Sequence, residues 1–425
     1  MTRHVRAIAA LAAVTALTLA GCSNGSGDTE SSSGSSSGSA ATEKVTITYT
    51  NFISEGGNED NLKTIVDAFQ KDNPGITVDV TTLPYADYFT ALQTDLAAGT
   101  QSDVFDMEYA GYAALQKSGV LAKLDGVDGK AYQTSLLEAY QTDGAQYALP
   151  SSFSTVVLFY NKALFDAAGV SYPTADWTWA DEQAAAEKLT DTAAGVWGDY
   201  QPIGYHEFFK VVAQAGGTFL SDDGKKAAFN SPEGLKAAEW LVGKSGKVMP
   251  TAEQGAGTAD FDTGLFKDGK LAMWHTGIWM FGVVADASSP WDVAVEPGDK
   301  AKASVLFSNG VGVSAASKHP AEAQKFAEYL TSSKTTAEVR VSKGWELPPT
   351  SDEAPLQAYL TKGKPDNRQA VFDSLKATVL SPSIGDNQSK MQDIVSEKLS
   401  EAAAGRLTVQ EALDQAEKEV NALLG

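Results

Sequence analysis

The sequence predicts an α/β protein built from two units, each a mainly parallel sheet flanked by helices. Three observations predict it. Short runs alternate apolar with polar residues, as half-buried strands do. Between those runs, apolar residues recur at spacings of 3, 4 and 7, as amphipathic helices do. Residues 44–425 are long enough for two domains at about 150 residues each.

The elements follow in order. Val45, Ile47 and Tyr49 alternate with Thr46, Thr48 and Thr50, a strand. A loop from Asn51 to Gly57 leads into a helix with Leu62, Ile65, Val66 and Phe69 on one face, closed by Asn73-Pro74-Gly75. Ile76, Val78 and Val80 give a second strand. Tyr88, Phe89, Leu92 and Leu96 mark a helix that stops near Gly99. Asp103 to Met107 is a third strand, and Tyr112 to Lys117 a short helix. Strand, helix, strand, helix, strand makes parallel βαβ units with right-handed crossovers. In such sheets a ligand sits outside the carboxyl ends of the strands, here Asn51–Gly57 and Glu108–Tyr109.

A second α/β region begins with an apolar strand from Thr155 to Tyr160. Helices follow over 178–189, 207–215, 232–242 and 259–267. Leu271 to Trp274 is a short apolar run, and a turn at His275-Thr276-Gly277 leads into a helix from Ile278. Pro320 opens a helix with Ala323, Phe326, Ala327 and Leu330 inward. Met391, Ile394, Val395 and Leu399 form another stripe. Thr408 and Glu411 are spaced as a capping box, and open the last helix with Leu413, Ala416, Val420 and Leu423 inward.

The start of the chain fixes where the protein works. Arg3, His4 and Arg6 precede an apolar run from Ala7 to Ala20, too short to cross about 30 Å of hydrocarbon and read as a secretory leader. Leu19-Ala20-Gly21-Cys22 holds the only cysteine and resembles a bacterial lipobox. That resemblance implies removal of residues 1–21 and a lipid on Cys22, which leaves no thiol for catalysis, metal or a disulfide. Residues 22–43 are mostly Ser and Gly, a solvated tether whose root-mean-square reach is roughly 25 Å. The expected location is extracytoplasmic, anchored to the outer face of the cell membrane.

With 54 acidic and 33 basic residues the chain carries a formal charge of −21, which argues against nucleic acid as a partner. His206, His275 and His319 show no paired metal spacing. No G-x-S-x-G elbow, Walker loop or G-x-G-x-x-G fingerprint is present. Neither a metal, a cofactor nor an enzyme activity is expected. A glycosidase pair of carboxylates is the enzymatic alternative.

Aromatic residues point to a binding pocket instead. Trp274, Trp279 and Trp345 lie near turns or helix starts, where a flat ring can stack on a sugar face; their plain alternative is core packing. His206 is either a ligand contact or a buried structural histidine, and His275 reads as structural. Glu55 and Glu108 stand at strand ends, as ligand contacts or as ordinary solvated acids.

Several segments, in order, resemble family 1 extracellular solute-binding proteins, the maltose-binding-protein-like receptors of sugar-importing ABC transporters. Ala148-Leu-Pro150 and Leu158-Phe-Tyr-Asn-Lys162 match the first crossing between lobes. Asp103-Val-Phe-Asp106 matches the family's "PDV" strand, with Ser102 where proline is usual. Gly119 to Leu124, Gly269 to Met273 with Gly277-Ile-Trp279, Gly310 to Ser314, Ala321 to Leu330, and Gly405 to Leu413 match in turn. The resemblance implies a type II periplasmic-binding-protein fold with an interlobe cleft, one lobe from 44–153 plus 306–350 and the other from 154–305 plus 351–425. It places ligand contacts at Asn51, Phe52, Ser54, Glu55, Glu108, Tyr109, Ser154, His206 and Trp279. Ser154 stands where an acid is usual, and the segment near Met391 lacks the expected tryptophan, a departure from maltodextrin receptors. The implied function is capture of a carbohydrate by cleft closure and delivery to a permease, by a monomer. Alternatives on the same fold are receptors for a polyol, a glycerophosphodiester, iron or a polyamine. Outside it stand a lipid-anchored glycoside hydrolase and a surface adhesin.

Overall fold

The structure is a computed structural model, and it describes residues 44–54, 58–361 and 363–424. The leader, the tether, Cys22 and Glu55 lie outside the described residues. No helix among those described is long and apolar enough to cross a membrane.

The strands are β1 (Val45–Asn51), β2 (Ile76–Thr82), β3 (Val104–Glu108), the short pair β4 (Gln141–Thr142) and β5 (Ala145–Gln146), then β6 (Ala148–Asn161), β7 (Met273–Gly277), β8 (Trp291–Ala294), β9 (Ser304–Val313) and β10 (Thr378–Leu380). One sheet runs in the order β2-β1-β3-β9-β6-β7, with β8 also on β6 and β10 also on β9. β1 pairs parallel with β2 and β3, as the βαβ pattern requires. Helix Asn58–Asp72 between them buries Leu62, Ile65, Val66 and Phe69, the predicted stripe. Helix Tyr85–Ala98 ends on Gly99, whose φ of 70° is the left-handed cap that favours glycine. The last helix, Val409–Leu424, opens on the Thr408–Glu411 box, where Glu411 Oε2 accepts from Thr408 N and Oγ1, both at 2.8 Å.

Three expectations are corrected. The apolar strand from Thr155 to Tyr160 extends to all fourteen residues of β6, every one buried. A register shift between Pro150 and Ser152 absorbs the proline, and the sheet continues through the serines beside it. The second half is mainly antiparallel rather than mainly parallel: β7, β8 and β9 all run against β6, and β10 runs parallel to β9. His275 to Gly277 is strand, not turn, and the helix beyond it is only Met280–Val283. Gly277 is required there, since a Cβ would lie 1.8 Å from Trp279 Cζ3.

Residues Glu43–Gly425 hold together as one compact unit with several apolar cores. Ile47, Phe69, Val311 and Phe326 belong to one core, and Phe208, Val212, Val305 and Val395 to another. β9 contributes to both, through Val305 at one end and Val311 and Val313 at the other. The residues between them on β9 therefore lie where the two cores meet.

Candidate functional site

A crevice opens at that place. It holds a cavity of about 20 Å³ and is lined from four separate parts of the chain: Glu108 to Ala110, His206, Leu306 to Asn309, and Ser381. Glu108 ends β3 and Tyr109 begins helix Tyr109–Lys117, so the strand-end rule brought both to the site. Tyr85 OH donates to Glu108 Oε1 at 2.7 Å and fixes that carboxylate. The Tyr109 ring stands edge-on to Tyr140 at 6.0 Å.

His206 is the second residue of helix Tyr205–Gln214. Its ring meets Phe307 at 5.4 Å, and its buried Nδ1 has no partner among the described residues. Burial holds its pKa below the usual value, against the pull of Glu108 and Glu207, so at neutral pH the ring is neutral. A neutral imidazole with a free ring nitrogen can accept or donate one hydrogen bond to a ligand hydroxyl.

Phe307, Ser308, Asn309 and Ser381 are lining residues that the sequence analysis missed. Phe307 is half-buried in β9 and meets both His206 and Trp279 edge-on, each at 5.4 Å. Asn309 Nδ2 donates to Glu346 Oε1 at 3.0 Å. Arg340 Nη1 holds the other oxygen of Glu346 at 3.3 Å, and its guanidinium lies 4.1 Å from the Trp345 ring centre. The available signal was the polar Ser308-Asn309 pair interrupting an apolar strand just before Gly310, where the resemblance was recognised.

The other expected contacts fall elsewhere. Asn51 is buried, and its Oδ1 accepts from Ile53 N at 3.0 Å and Thr82 Oγ1 at 3.2 Å, so its amide shapes the turn after β1. Phe52 packs among Tyr85, Tyr88 and Phe89. Ser54 is half-buried and does not line the crevice. Ser154 is fully buried in β6 opposite Phe307, its hydroxyl unpartnered among the described residues. Trp274 is core: it is 1% exposed, its ring packs on Phe159 and Phe266, and Nε1 donates to Asp262 at 3.1 Å. Trp345 is likewise buried, in the core of Ile47 and Phe326, as the platform under Arg340. Trp279 is half-buried and meets Phe307 edge-on, and it is not among the residues that line the crevice.

A ligand crevice fed by distant segments fits a receptor fold, and the family comparison decides the matter. Residues 64–366 match the family model described as bacterial extracellular solute-binding protein. The chain is a bacterial extracellular solute-binding protein. It shares 40% identity with an ABC substrate-binding protein from Listeria monocytogenes solved in complex with cycloalternan, over 90% of this chain and 100% of that one, with a TM-score of 0.86. A solute-binding protein from Thermotoga lettingae bound with α-D-tagatose matches at 25% identity and a TM-score of 0.79, over 89% of this chain and 100% of that one. The galactooligosaccharide-binding protein of Bacillus subtilis is 26% identical over 84% of each chain. The fold is the two-lobe type II periplasmic-binding-protein fold. The family consists of substrate-binding proteins rather than enzymes, and it works outside the cytoplasm.

This solute-binding protein also buries a ring of charge beside the crevice. Glu182, Asp199, Glu207, Lys210, Lys244, His275 and Glu296 are all at most 6% exposed. His275 Nδ1 meets Glu296 Oε1 at 2.7 Å, and Nε2 meets Glu182 Oε1 at 3.1 Å and Asp199 Oδ1 at 3.4 Å. Burial by itself would depress the His275 pKa, but the carboxylates of Glu182 and Asp199 outweigh it and hold the imidazolium well above its usual range. Glu182, Asp199 and His275, and also Glu207, His275 and Glu296, place ligand-type atoms within 4.8 Å of one another, as a metal site would. Two ammonium groups already occupy those carboxylates: Lys244 contacts Glu182 and Asp199, and Lys210 contacts Glu207 and Glu296. The donor set is therefore an ion network with its own cations.

Proposed function

We propose that this protein is the carbohydrate receptor of an ABC importer, capturing a mono- or oligosaccharide by closure of the crevice and handing it to a membrane permease. One observation carries the reading. Glu108, Tyr109, His206, Phe307, Asn309 and Ser381 converge from four distant parts of the chain on one crevice that mixes aromatic faces with hydrogen-bonding groups. Rings cover the apolar C–H faces of a sugar, while a carboxylate, an amide, a hydroxyl and a neutral imidazole pair with its hydroxyls. The cycloalternan complex of the Listeria protein and the name of the Bacillus subtilis relative support the same ligand class.

The proposed lobes are 44–153 plus 306–350 and 154–305 plus 351–425. A ligand that touches both shifts the open–closed equilibrium by its difference in affinity for the two states. Glu108 then comes from one lobe and His206 from the other. Calorimetry with glucose, maltose, maltotriose, galactooligosaccharide and cycloalternan tests the ligand class. The expected result is saturable binding of at least one, with the ligand recovered unchanged. Binding of a polyol, a glycerophosphodiester or a polyamine but of no sugar would replace the carbohydrate by that solute. Sugar hydrolysis would restore the glycosidase alternative.

The leader and the Leu19-Ala20-Gly21-Cys22 tetrad support a lipid anchor on Cys22, with the Ser/Gly tether letting a monomeric receptor reorient beside the membrane. Cys22→Ser is expected to move the protein from the membrane fraction to the medium. A variant that stays in the membrane fraction would refute the anchor.

A further inference from the structure

The buried charges form a closed circuit that joins helix Tyr205–Gln214, which carries His206, to β7, which leads into Trp279. Glu296 accepts from His275 on β7 and from Lys210 on helix Tyr205–Gln214 at 2.8 Å. Lys210 also holds Glu207 at 2.6 Å, and Gln201 Nε2 donates to Glu207 Oε2 at 2.8 Å. Lys244 donates to Gln201 Oε1 and Asp199 Oδ2, both at 2.6 Å, and contacts Glu182. Glu182 and Asp199 return the circuit to His275. His206 is the residue before Glu207, and Trp279 lies four residues beyond His275.

We propose that His275 is a positioning residue for the crevice. With Glu182, Asp199 and Glu296 it pins the two segments that carry His206 to the ligand and Trp279 to Phe307, without touching the ligand itself. Its bearing on ligand capture rests on the receptor reading above. Charged groups reach His275 from five sides, while β6 sets the apolar Leu158 opposite it. Helix Trp179–Leu189 brings Glu182, the next segment Asp199, helix Tyr205–Gln214 Glu207 and Lys210, the turn after helix Pro232–Val242 Lys244, and the segment after β8 Glu296. The Lys302 ammonium acts on Glu182 and Glu296 from farther away. Four carboxylates thus face two ammonium groups, and the imidazolium brings the balance to one excess negative charge. When its proton leaves, a ring nitrogen faces a carboxylate lone pair to lone pair, and two negative charges stay uncompensated in a buried site. A satisfied buried polar network rigidifies the segments it joins. Here Asp199 Oδ1 and Glu296 Oε2 have ion-pair contacts with His275 and Lys210 but no hydrogen bond among the described residues, so the loss of the imidazolium charge is felt directly.

The raised pKa sets the direction. The contribution of His275 is complete below its unfolded value of about 6.5 and is lost as pH rises through the higher folded value. Hydrogen exchange of the full chain tests the proposal, read as protection factors for 205–214, 273–280 and, as control, Asn58–Asp72. At pH 7 His275→Gln is expected to lower protection about tenfold in the first two segments and not in the third. Wild type taken from pH 6.5 to 10 is expected to loosen in the same two segments, which supplies the answer even where the variant does not fold. Equal loss along the whole chain, or none at 205–214 and 273–280, overturns the proposal. With cycloalternan as probe, affinity is expected to fall with the loosening, and unchanged affinity in a loosened variant overturns the positioning role. A protein that binds no sugar leaves the exchange result standing, so the two readings fail separately.

Discussion

Lys244→Met is expected to destabilise the protein by about 3–5 kcal/mol. Lys244 is 1% exposed, and its ammonium serves Glu182, Asp199 and Gln201 at once. Methionine fills much the same volume, so the loss is not a cavity. What remains is two carboxylates, themselves at most 1% exposed, that have lost their counter-charge. Breaking a buried ion pair from one side leaves the partner's charge with neither water nor a cation. Burial works to raise the Asp199 pKa, and the Lys244 ammonium and the His275 imidazolium overcome it and hold it well below the usual range. The variant loses the first of those two, so part of its deficit is expected to vanish at acid pH, where Asp199 is protonated in the unfolded chain. A depressed carboxylate stabilises above its unfolded pKa and stops doing so as pH falls through the folded one. Urea unfolding at pH 7 and at pH 3, below the unfolded carboxylate value of about 3.9, measures both effects. A change below about 1 kcal/mol at pH 7 would mean that the ring carries no stability of its own.

Phe307→Ala is expected to weaken carbohydrate binding by about 1–3 kcal/mol, roughly five- to 150-fold, and Trp279→Ala by less. Phe307 lines the crevice, whereas Trp279 reaches it only through an edge contact with Phe307 at 5.4 Å. The order of the two effects is the informative quantity. Stacking on the ligand requires the exposed face of Phe307, and Trp279 supports that ring edge-on. Calorimetry on both variants, with melting temperatures alongside, separates a lost contact from a lost fold. If Trp279→Ala costs more affinity than Phe307→Ala at equal stability, the tryptophan meets the ligand and the assignment is reversed.

Local signals were read well because their causes are local. The stripe Leu62, Ile65, Val66 and Phe69 buries one face, Gly99 ends a helix in the left-handed region, and the Thr408–Glu411 box starts the last helix. Each depends on residues within about two turns of one another. Glu108 and Tyr109 were expected by the same logic, since a strand end in an α/β sheet is a topological position, and both line the crevice. For His206 the residues left a ligand contact and a structural histidine both open, and the family resemblance favoured the contact.

The tryptophans show where reading along the chain stops. Trp274 and Trp279 are five residues apart and look alike in sequence, yet one is sealed among Phe159 and Phe266 while the other meets Phe307 edge-on. β7 and the absent Cβ of Gly277 decide which way each ring turns. Phe307 gave no signal because its significance comes from His206 and Trp279, 101 and 28 residues away in the chain. His275 read as structural, but nothing along the chain announces that Glu182, Asp199 and Glu296 surround it.

By itself the sequence determined the α/β class, most helix boundaries and the family to which the chain is matched. The tertiary structure alone decided the antiparallel run of β7, β8 and β9 against β6, the choice of Phe307 over Trp274 for the crevice, and the burial of seven charges in one ring. The reason is range. Periodicity and capping are settled by neighbours in the chain, while burial and charge compensation are settled by groups that meet only after the chain has folded.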